Sequence, residues 1–391
     1  MTRLIRWFTL GAIAALMIAV VAWVVVVQIA ERPLPLAGPL PPSCGTYIDS
    51  GFKRSLQLLR SQAAAMMRAR QIPGLAVAVW RDGHLVYHEG FGYADLGRRS
   101  PACPWTRFRA ASVSKLFTVA AMARLVERHR LDLNAPIQEY VPEFPDKGAT
   151  ITPALLAEHL GGIRAYYDDR EAINAKHYPS VVSSLERFAG DPLAAKPGST
   201  FIYSNYGYVL LSAAIERASG KDFLTQMHDD VFAPLGMSST LPEDVARSIP
   251  ERAQPYDTET PFSPDGSLVR SPYNDFSSKW ASGGFVSTVD DLCRFGTAFI
   301  PPTGYLNDTT IRLLMRPRSG LPPLVGYGMG WMTASDLHFR RVHFHFGASS
   351  GGTSVLAIYP GSRVAIALMA NLGHAKFPFA PLANIARPFL R

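Results

Sequence analysis

Ser112 and Lys115 stand three residues apart in RFRAASVSKLFTVAAM, residues 107–122, among Phe108, Ala110, Ala111, Val113, Leu116 and Phe117. On a helix that spacing puts both side chains on one face, with Cβ atoms about 5–6 Å apart. A serine hydroxyl is a weak nucleophile until a base sits beside it. An amine ringed by apolar groups is disfavoured as the ammonium, so its pKa falls and it can take the hydroxyl proton. The helix start also sets the Ser112 backbone N–H where a developing oxyanion can use it. Ser50 and Lys53 repeat the spacing, but Arg54 follows directly, so that lysine is expected solvated and protonated.

Two further segments carry polar groups suited to the same reaction. In KPGSTFIYSNYGYVLL, Tyr203 supplies a phenol as a second proton carrier and Asn205 an amide donor for a substrate carbonyl. In HFHFGASSGGTSVLAIYP, His345 is expected to orient substrate, Gly347 lets substrate approach the backbone, and the Ala348 N–H offers a second oxyanion donor. Tyr305–Asn307, His88–Gly90 and Lys196–Gly198 repeat the short patterns without the order and context that let three segments converge. His343 and His345 share a strand face and would suit a metal, but no third ligand motif follows, so neither metal nor cofactor is expected. His159 and Trp280 with residues 282–285 are read as shaping or underlying the cleft, and His84, His88 and His228 as surface or strand residues.

Ser-x-x-Lys, Tyr-x-Asn and His-x-Gly in that order resemble the serine β-lactamase/penicillin-binding-protein superfamily. The tyrosine form of the middle motif is similar to class C β-lactamases, D-amino-acid peptidases and related esterases. YVPEFPDKGATIT, HLGGIR, DPLAAKPGSTFIYSNYGYVLLSAAIERASG and DFSSKWASGGFVSTVDDL resemble most closely the mitochondrial serine β-lactamase-like subgroup and its bacterial relatives. The resemblance implies an α/β sheet domain carrying an inserted all-helical domain, with the site between them. It also implies an acyl-enzyme formed on Ser112, with Lys115 and Tyr203 moving the proton. Dedicated β-lactamases usually carry lysine where His345 stands. Histidine is mostly neutral at pH 7, so β-lactam turnover is expected to be poor and peptide, amide or ester bonds preferred. A non-catalytic penicillin-binding sensor or scaffold is the alternative reading.

The elements that must position these groups follow from periodicity. Leu56, Leu59, Ala63 and Met67 fit an amphipathic helix over 47–70, and GLAVAVWRDGHLVYHEGFGYA reads as a hairpin turning at Asp82-Gly83. Helical pieces broken by Gly, Pro and Asn fill 112–275, and strands return in TSVLAIYP and RVAIALMANL. The expectation is an α/β fold in which an antiparallel sheet closed from both termini is flanked by helices. Residues 46–115 and 277–391 form the α/β part and 116–276 the helical part.

The chain has 391 residues, is 48% apolar and 18% charged, and carries a net charge of +8 without a Lys/Arg block, which argues against a nucleic-acid partner. Residues 7–27 are free of charge and long enough to cross a bilayer. The reading is a cytoplasmic tail at 1–6, a signal anchor at 7–29, a proline-rich linker at 30–45 and the catalytic domain at 46–391. The anchor would hold that domain in the periplasm on the inner membrane; a cleaved signal is the alternative. Cys44 and Cys103 either pair or stay as thiols, and Cys293 is expected buried. Oligomeric state is not written in these residues.

Overall fold

The run GLAVAVWR splits its side chains between two faces: Leu75, Val77 and Val79 enter one core, Ala76, Ala78 and Trp80 another. Period-2 alternation of this kind marks a strand buried on both sides. A computed structural model shows how the two faces are covered; it describes residues 40–168, 170–244, 247–258, 267–320, 325–377 and 379–390. The expected tail, anchor and first part of the linker lie outside them. Among the described residues no helix is long and apolar enough to cross a membrane.

The main sheet is antiparallel. Its N-terminal strands are β1 (Ser43–Ile48), β2 (Gly74–Arg81) and β3 (His84–Asp95). Its C-terminal strands are β4 (Ser319–Gly320), β5 (Val325–Tyr327), β6 (Met332–Ser335), β7 (Arg341–Ser349), β8 (Gly352–Tyr359) and β9 (Val364–Ala370). The spatial order is β1-β3-β2-β9-β8-β7-β6-β5-β4, so both ends of the chain close one sheet, as the strand pattern predicts. The β2–β3 turn uses Asp82 (φ 52°) and Gly83 (φ 79°), the left-handed pair a two-residue hairpin requires.

One face packs on helix α1 (Leu56–Ala69) and the C-terminal segment through Leu59, Met66, Ile385 and Phe389. The other packs on the helical body: α2 (Ser114–Glu127), α3 (Asn205–Ser219) and α4 (Val289–Thr297). Alanines at 76, 78, 365 and 367 keep that second face shallow. Helix α4 comes so close that a Cβ on Gly296 would lie 3.0 Å from both Leu356 and Ile358. Helix α2 is apolar nearly all round, with Leu116, Phe117, Val119 and Met122 fully buried, as befits a helix at the centre of a domain.

Three expectations need correction. The helix placed over 47–70 begins at Leu56, because Tyr47 and Ile48 pair with β3 and Ser50–Ser55 form a 3-10 turn. The inserted part is not all-helical: it contains Leu241–Pro242, Tyr256–Thr258 and Leu268–Arg270 as short strands. Strand Phe285–Ser287 pairs with both Phe108–Arg109 and Leu241–Pro242, so inter-strand hydrogen bonds join the two parts directly. Linker residues 43–45 belong to β1, and Cys44 is disulfide-bonded to Cys103. Cys293 is a buried free thiol.

Candidate active site

Ser112 lies in a 3-10 turn, Ala111–Val113, that runs straight into α2. Ala111 before it takes φ 46°, a left-handed conformation that costs a non-glycine residue on the order of 1–2 kcal/mol. The surrounding contacts enforce that bend. The Ala110 N–H donates to Phe285 O at 2.9 Å, and the Ala110 carbonyl accepts from Ser354 Oγ at 2.6 Å. Gly347 of β7 presses on the same segment, where an added Cβ would sit 2.4 Å from Ala110 O and 2.2 Å from Ser354 Oγ. Glycine at 347 thus lets the strand close on the nucleophile turn.

Lys115, one turn on, is fully buried. Its Nζ lies 3.1 Å from Ser112 Oγ and donates to Asn205 Oδ1 at 2.7 Å and to the Ser282 carbonyl at 2.8 Å. Among the described residues no carboxylate forms an ion pair with it, and burial holds the amine well below the usual lysine range. The rings of Tyr203 and Tyr208 face the amine, with centroids 4.7 and 5.5 Å from Nζ. Tyr203 shows 38% of its surface to solvent, yet its hydroxyl is enclosed and hydrogen-bonded to Ser112. Burial raises that phenol's pKa, so it rests protonated.

Asn205 opens α3. The helix is capped by Ser204, whose Oγ accepts from the Gly207 N–H at 3.0 Å and donates to Arg164 O at 2.6 Å. The cap fixes where Asn205 points. Its Oδ1 serves Lys115, and its side chain is also hydrogen-bonded to the Tyr166 hydroxyl.

His345 is placed differently from expectation. It is buried, its Nδ1 lies 2.6 Å from the Phe346 carbonyl, and its Nε2 is 3.2 Å from the Tyr327 hydroxyl. Burial first, then the charge of Lys115, pushes it down to about 3, so it is neutral at pH 7. It therefore supports the site from beneath rather than facing substrate. His343 is engaged by Thr333 Oγ1 at 2.8 Å, and among the described residues no group of three His, Cys, Asp or Glu is placed to hold a metal.

A cleft of about 460 Å³ opens over these groups. Ser112, Asn205, Ser282, Gly283 and Ala348 line it, together with Tyr166, Phe276 and Lys279. The sequence reading missed the Ser282 carbonyl as a lysine partner, since backbone acceptors leave no residue-type signal. It also missed Tyr208 and Tyr327, which cage the site together with His159. The His159 ring lies 4.3, 5.0 and 5.1 Å from the rings of Tyr203, Tyr208 and Tyr327, and its Nδ1 accepts from the Ser204 N–H at 3.1 Å. Histidine at 159 thus shapes the loop beneath Tyr203. Trp280 is buried below the cleft, and His88 reaches Asp290 Oδ2 at 2.8 Å, tying β3 to α4.

A buried lysine on a serine, with no ion pair among the described residues, at a helix mouth between a sheet and a helical body, is an arrangement suited to a serine nucleophile. The β-lactamase family model matches residues 59–387, and the chain belongs to that family of serine hydrolases, within the serine β-lactamase/penicillin-binding-protein superfamily. It is 31% identical over 403 residues to the human mitochondrial serine β-lactamase-like protein LACTB, covering 79% of this chain and 73% of the relative. Protein flp of Staphylococcus aureus strain MW2 is 26% identical over 323 residues, covering 78% and 61%. An octameric penicillin-binding protein homologue from Pyrococcus abyssi superposes with a TM-score of 0.74 at 25% identity, over 85% of this chain and 77% of that one. The D-amino acid amidase of Ochrobactrum anthropi SV3, in complex with L-phenylalanine amide, shares the fold at a TM-score of 0.71 and 23% identity, over 84% and 98%.

Proposed function

We propose that this serine hydrolase opens a peptide, amide or ester bond of a small substrate through an acyl-enzyme on Ser112, and turns over β-lactams poorly. One observation carries the reading. Lys115 has three partners, Ser112 Oγ, Asn205 Oδ1 and Ser282 O, and, among the described residues, no carboxylate to hold it charged. As the neutral amine it has two hydrogens. The two carbonyl oxygens take them, which leaves the lone pair for the Ser112 proton.

As Ser112 Oγ bonds to the substrate carbonyl carbon, its proton passes to Lys115, and negative charge gathers on the carbonyl oxygen. The Ser112 and Ala348 backbone N–H groups, at the cleft wall, receive that oxygen. The carbon–leaving-group bond breaks, with the proton delivered to the leaving nitrogen or oxygen through Lys115 and Tyr203. Water then attacks the acyl carbon by the reverse proton path, giving the acid and restoring the serine. The neutral, inward-facing His345 supports the β-lactam part of the reading: it supplies no cation for a β-lactam carboxylate. We further propose that residues 7–29 anchor the chain in the inner membrane, with the catalytic domain periplasmic.

Labelling with a fluorophosphonate or fluorescent penicillin should mark the wild type and vanish in Ser112→Ala. The hydrolase should also cleave p-nitrophenyl esters far faster than nitrocefin. An unlabelled wild type with no ester turnover would favour a non-catalytic scaffold instead.

A further inference from the structure

The cleft contains a cation that the acyl-transfer steps do not use. Lys279 is only 7% exposed and lines the same cleft as Ser112. Its Nζ donates to the Ala172 carbonyl and to Asn274 Oδ1, two acceptors for three hydrogens, and lies 4.8 Å from the Phe276 ring centroid. The Arg109 guanidinium is 4.6 Å from that same ring.

The charged groups that act on Lys279 are committed elsewhere, and Asp257, a carboxylate lining the same cleft, accepts from the Gly351 N–H at 2.9 Å and from Ser271 Oγ. Glu243 is held by Arg109 at 2.8 Å and by Arg252. Asp275 accepts from the Ser277 N–H at 2.8 Å and pairs with His177 at 3.0 Å. Arg187 donates to Ser278 Oγ at 3.0 Å and to the Glu171 carbonyl at 2.6 Å. Among the described residues no carboxylate forms an ion pair with Lys279. A buried ammonium without a counter-ion is costly, and an incoming anion relieves that cost.

Resting on the acyl-enzyme reading, we propose that Lys279 selects substrates that carry a carboxylate, which accepts its third hydrogen at a point in the cleft that His345 does not line. The carboxylate comes either from an acidic side chain on the acyl part or from the free end of the leaving group. Burial, then the charges of Arg187 and Arg109, push Lys279 down to about 7. A bound carboxylate raises it again, so carboxylate binding takes up a proton and weakens as pH climbs past 7.

The test compares matched substrates on the full chain. The p-nitrophenyl ester of glutaric acid is set against its carboxamide isostere, and a depsipeptide ending in lactate against one ending in lactamide. At pH 6.5 the carboxylate member of one pair should be favoured in kcat/KM by about tenfold or more, and that pair identifies the source. The preference should shrink by pH 8.5, survive in Lys279→Arg and disappear in Lys279→Met. Taking the ratio within each pair cancels the titration of Lys115.

Calorimetric titration of glutarate against glutaramate into Ser112→Ala reads the subsite without turnover. It also decides the matter if Lys279→Met does not fold. Glutarate preference without fluorophosphonate labelling of the wild type would sink the acyl-enzyme reading alone. Labelling with no carboxylate preference in either pair, or a preference that Lys279→Met retains, would overturn the role given to Lys279.

Discussion

At the scale of residues, the role of base proposed for Lys115 rests on burial, not a charged partner, setting its protonation. Its folded pKa is lowered, so the neutral form exists well below the pH at which a solvated lysine deprotonates. The rate should rise with pH along a limb lying below 10.5, and the kcat/KM profile reads that limb. Lys115→Arg replaces an amine that can shed its proton by a group that cannot, and should lower kcat by about 10²–10⁴-fold; as a permanent charge in a fully buried site it should also lower the melting temperature. Tyr203→Phe keeps the ring over the amine and removes only the hydroxyl, so kcat should fall with little change in KM. Gly347→Ala acts by contact, since its Cβ would meet Ala110 O and Ser354 Oγ. It should slow acylation by moving the nucleophile turn, measured as slower fluorophosphonate labelling.

At the scale of elements, the site depends on how α2 and β7 are held. Phe117 of α2 meets Phe232, Phe285 and Phe295 edge-on at 5.5, 6.0 and 5.0 Å. Phe117→Ala should cost about 3–5 kcal/mol in denaturant unfolding. Arg109 clamps the segment before Ser112 to Glu243 and donates to Ser350 O at 2.6 Å just past β7. The Cys44–Cys103 bond closes a loop of 59 residues, so Cys44→Ser should lower stability by up to about 4 kcal/mol without touching the cleft. Equal kcat at a lower melting temperature is the signature to look for. Ser112 and Lys115 were legible because one lysine stands in an apolar run beside a serine and the Tyr203 and His345 segments follow in order. The direction of His345 was not, because a strand residue faces substrate or core according to which neighbours β7 acquires, and Tyr327 lies on β5.

At the scale of the molecule, the sheet is built from both ends of the chain while the site sits where its helical body meets β7. The bonds between Phe285–Ser287 and its partner strands, together with Arg109–Glu243, make that junction continuous. A chain starting at residue 40 should therefore keep ester hydrolysis and the wild-type unfolding midpoint. Loss of residues 1–39 should change only its partition into membranes, read by fractionation beside the full chain.

The sequence by itself determined the hairpin and the closing strands, which are local patterns, and marked Ser112 and Lys115 as the pair to be brought together with the Tyr203 and His345 segments. Tertiary structure alone decided which carbonyls hold Lys115, that His345 turns inward, that Cys44 reaches Cys103, and that Lys279 enters the cleft. Those outcomes are contacts between segments tens to hundreds of residues apart. Burial and hydrogen-bond satisfaction settle them only once the whole chain has closed.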